Sequence, residues 1–271
     1  MPATRQPPSL SLIYLCFNEE EALPATLAEA VAWASAALQD WEILVVDDGS
    51  SDGSAAIVSE HADGEPRIRL LQHPENRGMG AGLRTAIAAA DKTHFCMLAA
   101  DGQIAPAEID KMWPSLAHAP IVLSTYAARD DGSVRKVLSA GFRLWMRAMV
   151  GIDFQLEGTY LFPVALARDE IGLDRIGADT FFFSFELVAR ALQRGVQAAD
   201  TVIACRPRQG GGPSRVANVR RIARVAGEVR ALRRRLAAER KSAAEPNRGA
   251  DRGADREADR EADREADREA D

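Results

Sequence analysis

The sequence predicts an α/β protein with a mostly parallel central sheet and helices on both of its faces. Three observations point there. Short apolar runs alternate with longer stretches of helical periodicity. The runs are apolar at consecutive positions, as in strands covered on both sides. Each run is followed at once by polar, often acidic residues, where such sheets receive their ligands. The 271 residues are enough for one large α/β domain.

The elements follow in order. Ser9 to Leu15 reads as a strand and Glu21 to Leu38 as a helix. Trp41 to Val46 is a continuous apolar strand that runs into Asp47-Asp48-Gly49-Ser50. Asp52 to His61 is a helix, with Ser51 or Asp52 as its N-cap. Ile68 to Gln72 is a third strand and Gly78 to Ala90 a helix; His94 to Ala99 is a fourth strand and Pro106 to Leu116 a helix. Ile121 to Thr125 closes the series. Val137 to Gly151 reads as an amphipathic helix, with Leu138, Phe142, Trp145, Met146 and Met149 on its apolar side.

Composition narrows the class. Apolar residues make up 46% and charged residues 27%, which suits a globular chain with a real core. No stretch reaches the roughly 18 uncharged apolar residues of a membrane span, and no basic–apolar–small leader opens the chain. The expectation is a cytoplasmic protein whose contact with a membrane would be peripheral, on the inner face. Cys16, Cys96 and Cys205 are odd in number and far apart, as reduced structural thiols are. Four scattered histidines form no zinc pattern.

The net charge of −6 hides three different segments. Residues 1–214 are acidic and form the main domain. Residues 215–244 are a basic arm, with ten basic and two acidic residues between Arg215 and Lys241. Within it Val219, Ile222, Val225, Val229, Leu232 and Leu236 recur at helical spacing, which predicts a C-terminal amphipathic helix. Such a helix packs on its own domain or lies on an anionic membrane surface. Nucleic acid is excluded as a partner, because the body is acidic and has no basic, aromatic-laced face. Residues 245–271 repeat Glu-Ala-Asp-Arg with no apolar face, and read as a solvated tail, disordered or a lone helix.

The residues after each strand are Asn18 and Glu19, Asp47 to Ser50, Asn76 to Gly82, and Asp101 to Gln103. Gly78-Met79-Gly80-Ala81-Gly82 has the look of a dinucleotide fingerprint. It follows the third strand instead of the first, however, and the fingerprint's third glycine is missing, its place taken by Leu83 or Arg84. The pairing of carboxylates at two exits fits a ribose, a base edge and a metal-bound phosphate better.

Taken together the exits resemble glycosyltransferase family 2, with its GT-A fold, over about residues 9–215, and within it the dolichyl- and polyprenyl-phosphate sugar transferases. Phe17-Asn18-Glu19-Glu20 resembles the turn after the first strand, and Val46-Asp47-Asp48-Gly49-Ser50-Ser51-Asp52 the most specific family motif. Asn76-Arg77-Gly78-Met79-Gly80 and Ala100-Asp101-Gly102-Gln103 are similar to the next two. Glu186 to Ala191 resembles the later Glu-x-x-x-Arg-Ala helix, and Gly212-Pro213-Ser214-Arg215 the end of the acceptor region.

The resemblance implies an inverting transfer of a sugar from a nucleotide-sugar donor. Asn18, Glu19, Glu20, Asp47, Asp48, Ser50, Arg77 and Gly78 would bind the nucleotide. Asp101 and Gln103 would hold Mg²⁺ or Mn²⁺, Asp101 or Glu186 would act as general base, and Arg129, Arg135, Arg208, Ser214 and Arg215 would meet phosphate or acceptor. One departure stands out: Ala99 replaces the first Asp of the Asp-x-Asp motif, which leaves the metal site short of a carboxylate. Three readings stay open: transfer to polyprenyl phosphate, transfer to a soluble acceptor, and a catalytically silent nucleotide-sugar-binding protein.

Overall fold

The computed structural model describes residues 8–127, 141, 144–145, 147–149, 151, 154–207 and 219–244. Among them lie strands β1 (Leu10–Cys16), β2 (Trp41–Asp47), β3 (Ile68–Gln72), β4 (His94–Ala99), β5 (Ile121–Tyr126), β6 (Tyr160–Pro163) and β7 (Ala198–Ile203). The α-helices are α1 (Leu23–Ala37), α2 (Ser54–Gly64), α3 (Met79–Ala89), α4 (Phe182–Gln193) and α5 (Val219–Ala244). The strands form one sheet in the order β3-β2-β1-β4-β6-β5-β7. The pairs β1–β2, β1–β4, β2–β3 and β5–β7 are parallel; β6 runs antiparallel to both β4 and β5.

Alternate residues of the apolar strands point to opposite faces, so each strand feeds two cores. Ile13, Leu44, Val46 and Phe95 pack with Leu83 and Ile87 of α3, with Phe182 and Leu187 of α4, and with Val225, Val229, Leu232 and Leu236 of α5. Leu10, Leu12, Ile43, Val45 and Cys96 pack on the other face with Leu23 and Leu27 of α1 and Val58 of α2. The described part of the apolar stripe of the C-terminal helix, Val225, Val229, Leu232 and Leu236, is therefore in the domain core. Of the two places the sequence allowed for that helix, the structure selects its own domain.

Three local expectations change. The helix expected over Pro106–Leu116 is two tight 3₁₀ turns, Pro106–Lys111 and Trp113–Ala117. Pro114 has no N–H to donate and its ring meets the carbonyl four residues back, so an α-helix cannot run through it. Helix α2 starts two residues late, with Gly53 at the N-cap, while Asp52 accepts the Ser54 amide at 3.0 Å. Strands β6 and β7 were not foreseen. The amphipathic segment over 137–151 falls partly outside the described residues; those described at 141, 144–145 and 147–149 are helical. Trp145 and Met149 pack on the core, whereas Leu144 is 70% exposed.

Candidate functional site

The parallel register brings the strand exits to one edge. Cys16 lies opposite Asp47, Leu15 opposite Ala99, and Asp47 opposite Gln72. The chain leaves β1, β2, β3 and β4 side by side there, which is where a parallel sheet presents its ligand site.

The first two exits are laced together. The Asn18 amide donates to Ser50 Oγ at 2.9 Å, and the Ser51 amide returns a bond to Asn18 Oδ1 at 2.8 Å. Asn18 adopts a left-handed φ of 55°, which asparagine tolerates better than most residues. The Glu19 amide donates to Ser54 Oγ at 3.0 Å, and the Gly53 amide to Glu20 Oε2 at 2.7 Å. Asn18, Glu20 and Ser50 thus shape the loops themselves. Burial pushes Asp52 up, but hydrogen bonds from the Ser54 side chain and amide and from the Glu20 amide outweigh it and hold its carboxyl below the ordinary range.

The two adjacent aspartates divide their work. Asp47 is fully buried; its oxygens accept the Ser50 amide at 3.1 Å and Gln72 Nε2 at 3.2 Å. It closes the turn around Gly49 and ties β2 to β3, so the nucleotide-binding role expected of Asp47 does not fit its surroundings. Asp48 is 8% exposed and gathers the third exit. Its Oδ1 accepts from His73 Nδ1 at 2.7 Å and from the Arg77 amide at 2.9 Å, and its Oδ2 accepts the Gly78 amide at 2.8 Å. His73 Nε2 meets Thr85 Oγ1 of α3 at 2.9 Å. His73 was missed in the sequence; its only signal was a histidine standing directly after β3. Gly78, at φ 90°, starts α3 where any side chain would press on the Asp179 carbonyl 2.9 Å away. The Arg77 side chain is exposed beside it.

At the fourth exit Asp101 Oδ1 accepts the Gln103 amide at 3.2 Å around Gly102, and both side chains are part-exposed. The Gln103 carbonyl accepts the Arg206 amide at 2.7 Å, which joins this exit to the chain after β7. Ala99 is exposed at the end of β4. Among the described residues no group of three or more His, Cys, Asp or Glu could hold a metal ion. One carboxylate and one amide oxygen do fit the kind of Mg²⁺ or Mn²⁺ site that a substrate's phosphates complete. Burial pushes the Cys16 thiol, at the end of β1, up to about 11, so it is no nucleophile near neutral pH.

Glu186 lies elsewhere. It is fully buried in α4, where Oε1 accepts Arg190 Nε at 3.0 Å and the Gly177 amide at 3.3 Å, and Oε2 accepts Arg235 of α5 at 2.8 Å. Arg190, equally buried, also grips Glu239 of α5 at 2.8 and 3.1 Å. A carboxylate so enclosed offers no oxygen to an acceptor, and the general-base role expected of Glu186 gives way to anchoring α5. Arg129, Arg135, Arg208, Ser214 and Arg215 lie outside the described residues.

Residues 11–171 match the family described as Glycosyl transferase family 2. The chain is similar to an undecaprenyl-phosphate 4-deoxy-4-formamido-L-arabinose transferase of Pectobacterium carotovorum, 32% identical over 53% of this chain and 44% of the relative. It is similar to a dolichyl-phosphate β-glucosyltransferase of Drosophila melanogaster, 28% identical over 62% of this chain and 59% of the relative. It also resembles a polyprenol monophosphomannose synthase of Mycolicibacterium smegmatis, 26% identical over 78% and 82%. The chain spans about half the length of the first of these curated relatives. Among solved structures it superposes on glucosyl-3-phosphoglycerate synthase of Mycobacterium tuberculosis in complex with Mn²⁺, UDP-glucose and phosphoglyceric acid. There the TM-score is 0.60 at 17% identity, covering 82% of this chain and 80% of that one. Mannosyl-3-phosphoglycerate synthase of Rubrobacter xylanophilus superposes with a TM-score of 0.57 at 18% identity, over 86% and 75%. These two establish the fold, the GT-A type of nucleotide-sugar transferases.

Proposed function

The chain belongs to glycosyl transferase family 2, and from that premise we propose that it moves a sugar from a nucleoside-diphosphate sugar to polyprenyl phosphate, with inversion at the anomeric carbon. The observation that carries this reading is the shared edge on which Asn18, Asp48 and Asp101 stand, each just past the end of a parallel strand. The curated relatives named above act on undecaprenyl, dolichyl or polyprenol phosphates.

In this reading the loop that Asp48 holds receives the nucleoside, with Glu19 and Arg77 beside it. Asp101 and Gln103 would hold Mg²⁺ or Mn²⁺ against the donor diphosphate, where a divalent cation neutralises the charge that develops on the leaving group. The rest of the work is alignment: the acceptor oxygen must face the anomeric carbon opposite the departing diphosphate. A phosphate acceptor is already anionic at neutral pH and needs no base. For a hydroxyl acceptor, Asp101 is the remaining carboxylate placed to take the proton.

Two exposed apolar side chains near the donor loop in sequence or through its hydrogen bonds support a lipid acceptor. Met79 and Phe181, 42% and 38% exposed, flank the hydrogen bond from the Gly80 amide to the Asp179 carbonyl. Phe185 meets the rings of Phe154, Phe181 and Phe182 at 5.8 to 6.2 Å. With the stripe of α5 inside the core, contact with an anionic membrane would rest on its exposed Arg224, Arg230, Arg233 and Arg234 and be electrostatic.

The test is release of nucleoside diphosphate from UDP-glucose and GDP-mannose, with undecaprenyl phosphate in detergent or 3-phosphoglycerate as acceptor, with and without EDTA. We expect release that requires undecaprenyl phosphate and is abolished by EDTA. Ala99→Asp should lower the Mn²⁺ concentration required, because a carboxylate replaces a water around the ion. Turnover only with 3-phosphoglycerate would establish a soluble acceptor. Nucleotide binding without turnover of either donor would leave a silent binding protein.

A further inference from the structure

We propose that Glu228 of α5 is a positioning residue for the donor loop Asn76–Gly80, acting through the segment Ile176–Thr180. The proposal rests on the reading of that loop as the nucleotide site. The segment lies between α3 and α5 and is tied to both. On the α5 side, Glu228 Oε1 accepts the Asp179 amide at 3.2 Å and Oε2 accepts Thr180 Oγ1 at 2.5 Å. On the α3 side, the Asp179 carbonyl accepts the Gly80 amide at 3.0 Å. Arg84 adds bonds to the Ile176 carbonyl at 2.8 Å and the Leu173 carbonyl at 3.2 Å.

The contact with the loop is backbone on backbone. A Cβ at Gly80 would stand 2.6 Å from the Ala178 carbonyl and from Asp179 Cα, so the two backbones meet with no room for a side chain between them. Two and three residues before it, the Gly78 and Arg77 amides that fix Asp48 belong to the same turn. The path from Glu228 to Asp48 is thus a continuous series of hydrogen bonds with no flexible side chain on the α3 side. Glu228 itself is held by a helix whose apolar stripe is in the core and whose Arg235 grips Glu186. A helix remote in sequence therefore sets where the donor loop sits. Such coupling runs through packed, hydrogen-bonded neighbours.

The experiment compares Glu228→Ala, Glu228→Gln and Thr180→Val in the full chain by hydrogen exchange and steady-state kinetics with UDP-glucose and GDP-mannose. In Glu228→Ala, amide exchange across residues 74–84 should accelerate, and KM for the donor should rise about fivefold or more with kcat within about twofold. Glu228→Gln keeps an acceptor oxygen and should recover most of both; Thr180→Val, which removes one of the two bonds, should fall between. A lowered melting temperature with unchanged exchange at 74–84 and unchanged KM would reduce Glu228 to a stabilising contact and overturn the proposal. Should the wild-type protein turn over neither donor, the functional reading fails, and the exchange data alone decide whether Glu228 orders the loop.

Discussion

At the scale of the residue, Asp48 organises more than any other side chain at the strand exits. It faces three donors, two of them backbone amides. Asp48→Ala should therefore cost about 1–3 kcal/mol of stability, the penalty for buried donors left unpaired. Binding of UDP or GDP, whichever the wild type takes, should weaken with it. Urea denaturation and calorimetric titration read the two effects, and unchanged values in both would remove Asp48 from the site. Asp48 was legible in the sequence because a carboxylate just past an apolar strand has few structural reasons to be there. The role of Glu186 was not, since its partner Arg235 is 49 residues away. Nor was that of Asp47, whose partner Gln72 becomes a neighbour only once β2 and β3 pair.

Among the elements, α5 tests how much of the domain depends on its C-terminal arm. Leu232 is fully buried in the core and Arg230, two residues before it, is exposed on the opposite side of the helix. Leu232→Ala should destabilise by about 2–5 kcal/mol through lost burial and the cavity left behind. Arg230→Ala should stay within about 0.5 kcal/mol. Equal effects in thermal melts would place the helix off the domain. The strands β1 to β4 were readable because each is a compact apolar run closed by polar residues. Strand β6 is four residues long, and β7 reads Ala-Ala-Asp-Thr-Val-Ile, so neither carries a pattern of its own. Their strand geometry comes from the strands they pair with, β4 and β5 for β6 and β5 for β7, which outweighs local propensity. The segment after Pro106 shows the opposite failure: its periodicity was helical, and a single proline decided the geometry.

For the molecule as a whole, stability should fall on mild acidification. Burial at the start of β4 holds the His94 imidazole below its ordinary range, so the unfolded chain takes up its proton first. The stabilisation is complete above the unfolded value of about 6.5 and is lost as pH falls from there through the lower folded value. The carboxylates act later. Arg67 draws Glu65 down, and hydrogen bonds outweigh burial at Asp52 and Glu108, so their stabilisation is lost only in more acid solution. Melting temperature should drop between pH about 7.5 and about 5.5, and His94→Asn should flatten that slope; an equal slope in the variant would assign it to another group. The order of the strands also has a consequence for synthesis. Among the described residues β5 pairs with β6 and β7, and β4 has one edge that β6 fills. When Ala127 has been made, both edges of β5 and one edge of β4 are bare, and the two that β6 fills stay so until Tyr160 arrives. At about 5–20 residues per second that interval lasts roughly 2–7 s on the ribosome. During it the nascent chain exposes three unpaired strand edges to its neighbours, and a trigger for misassembly is present in every round of translation.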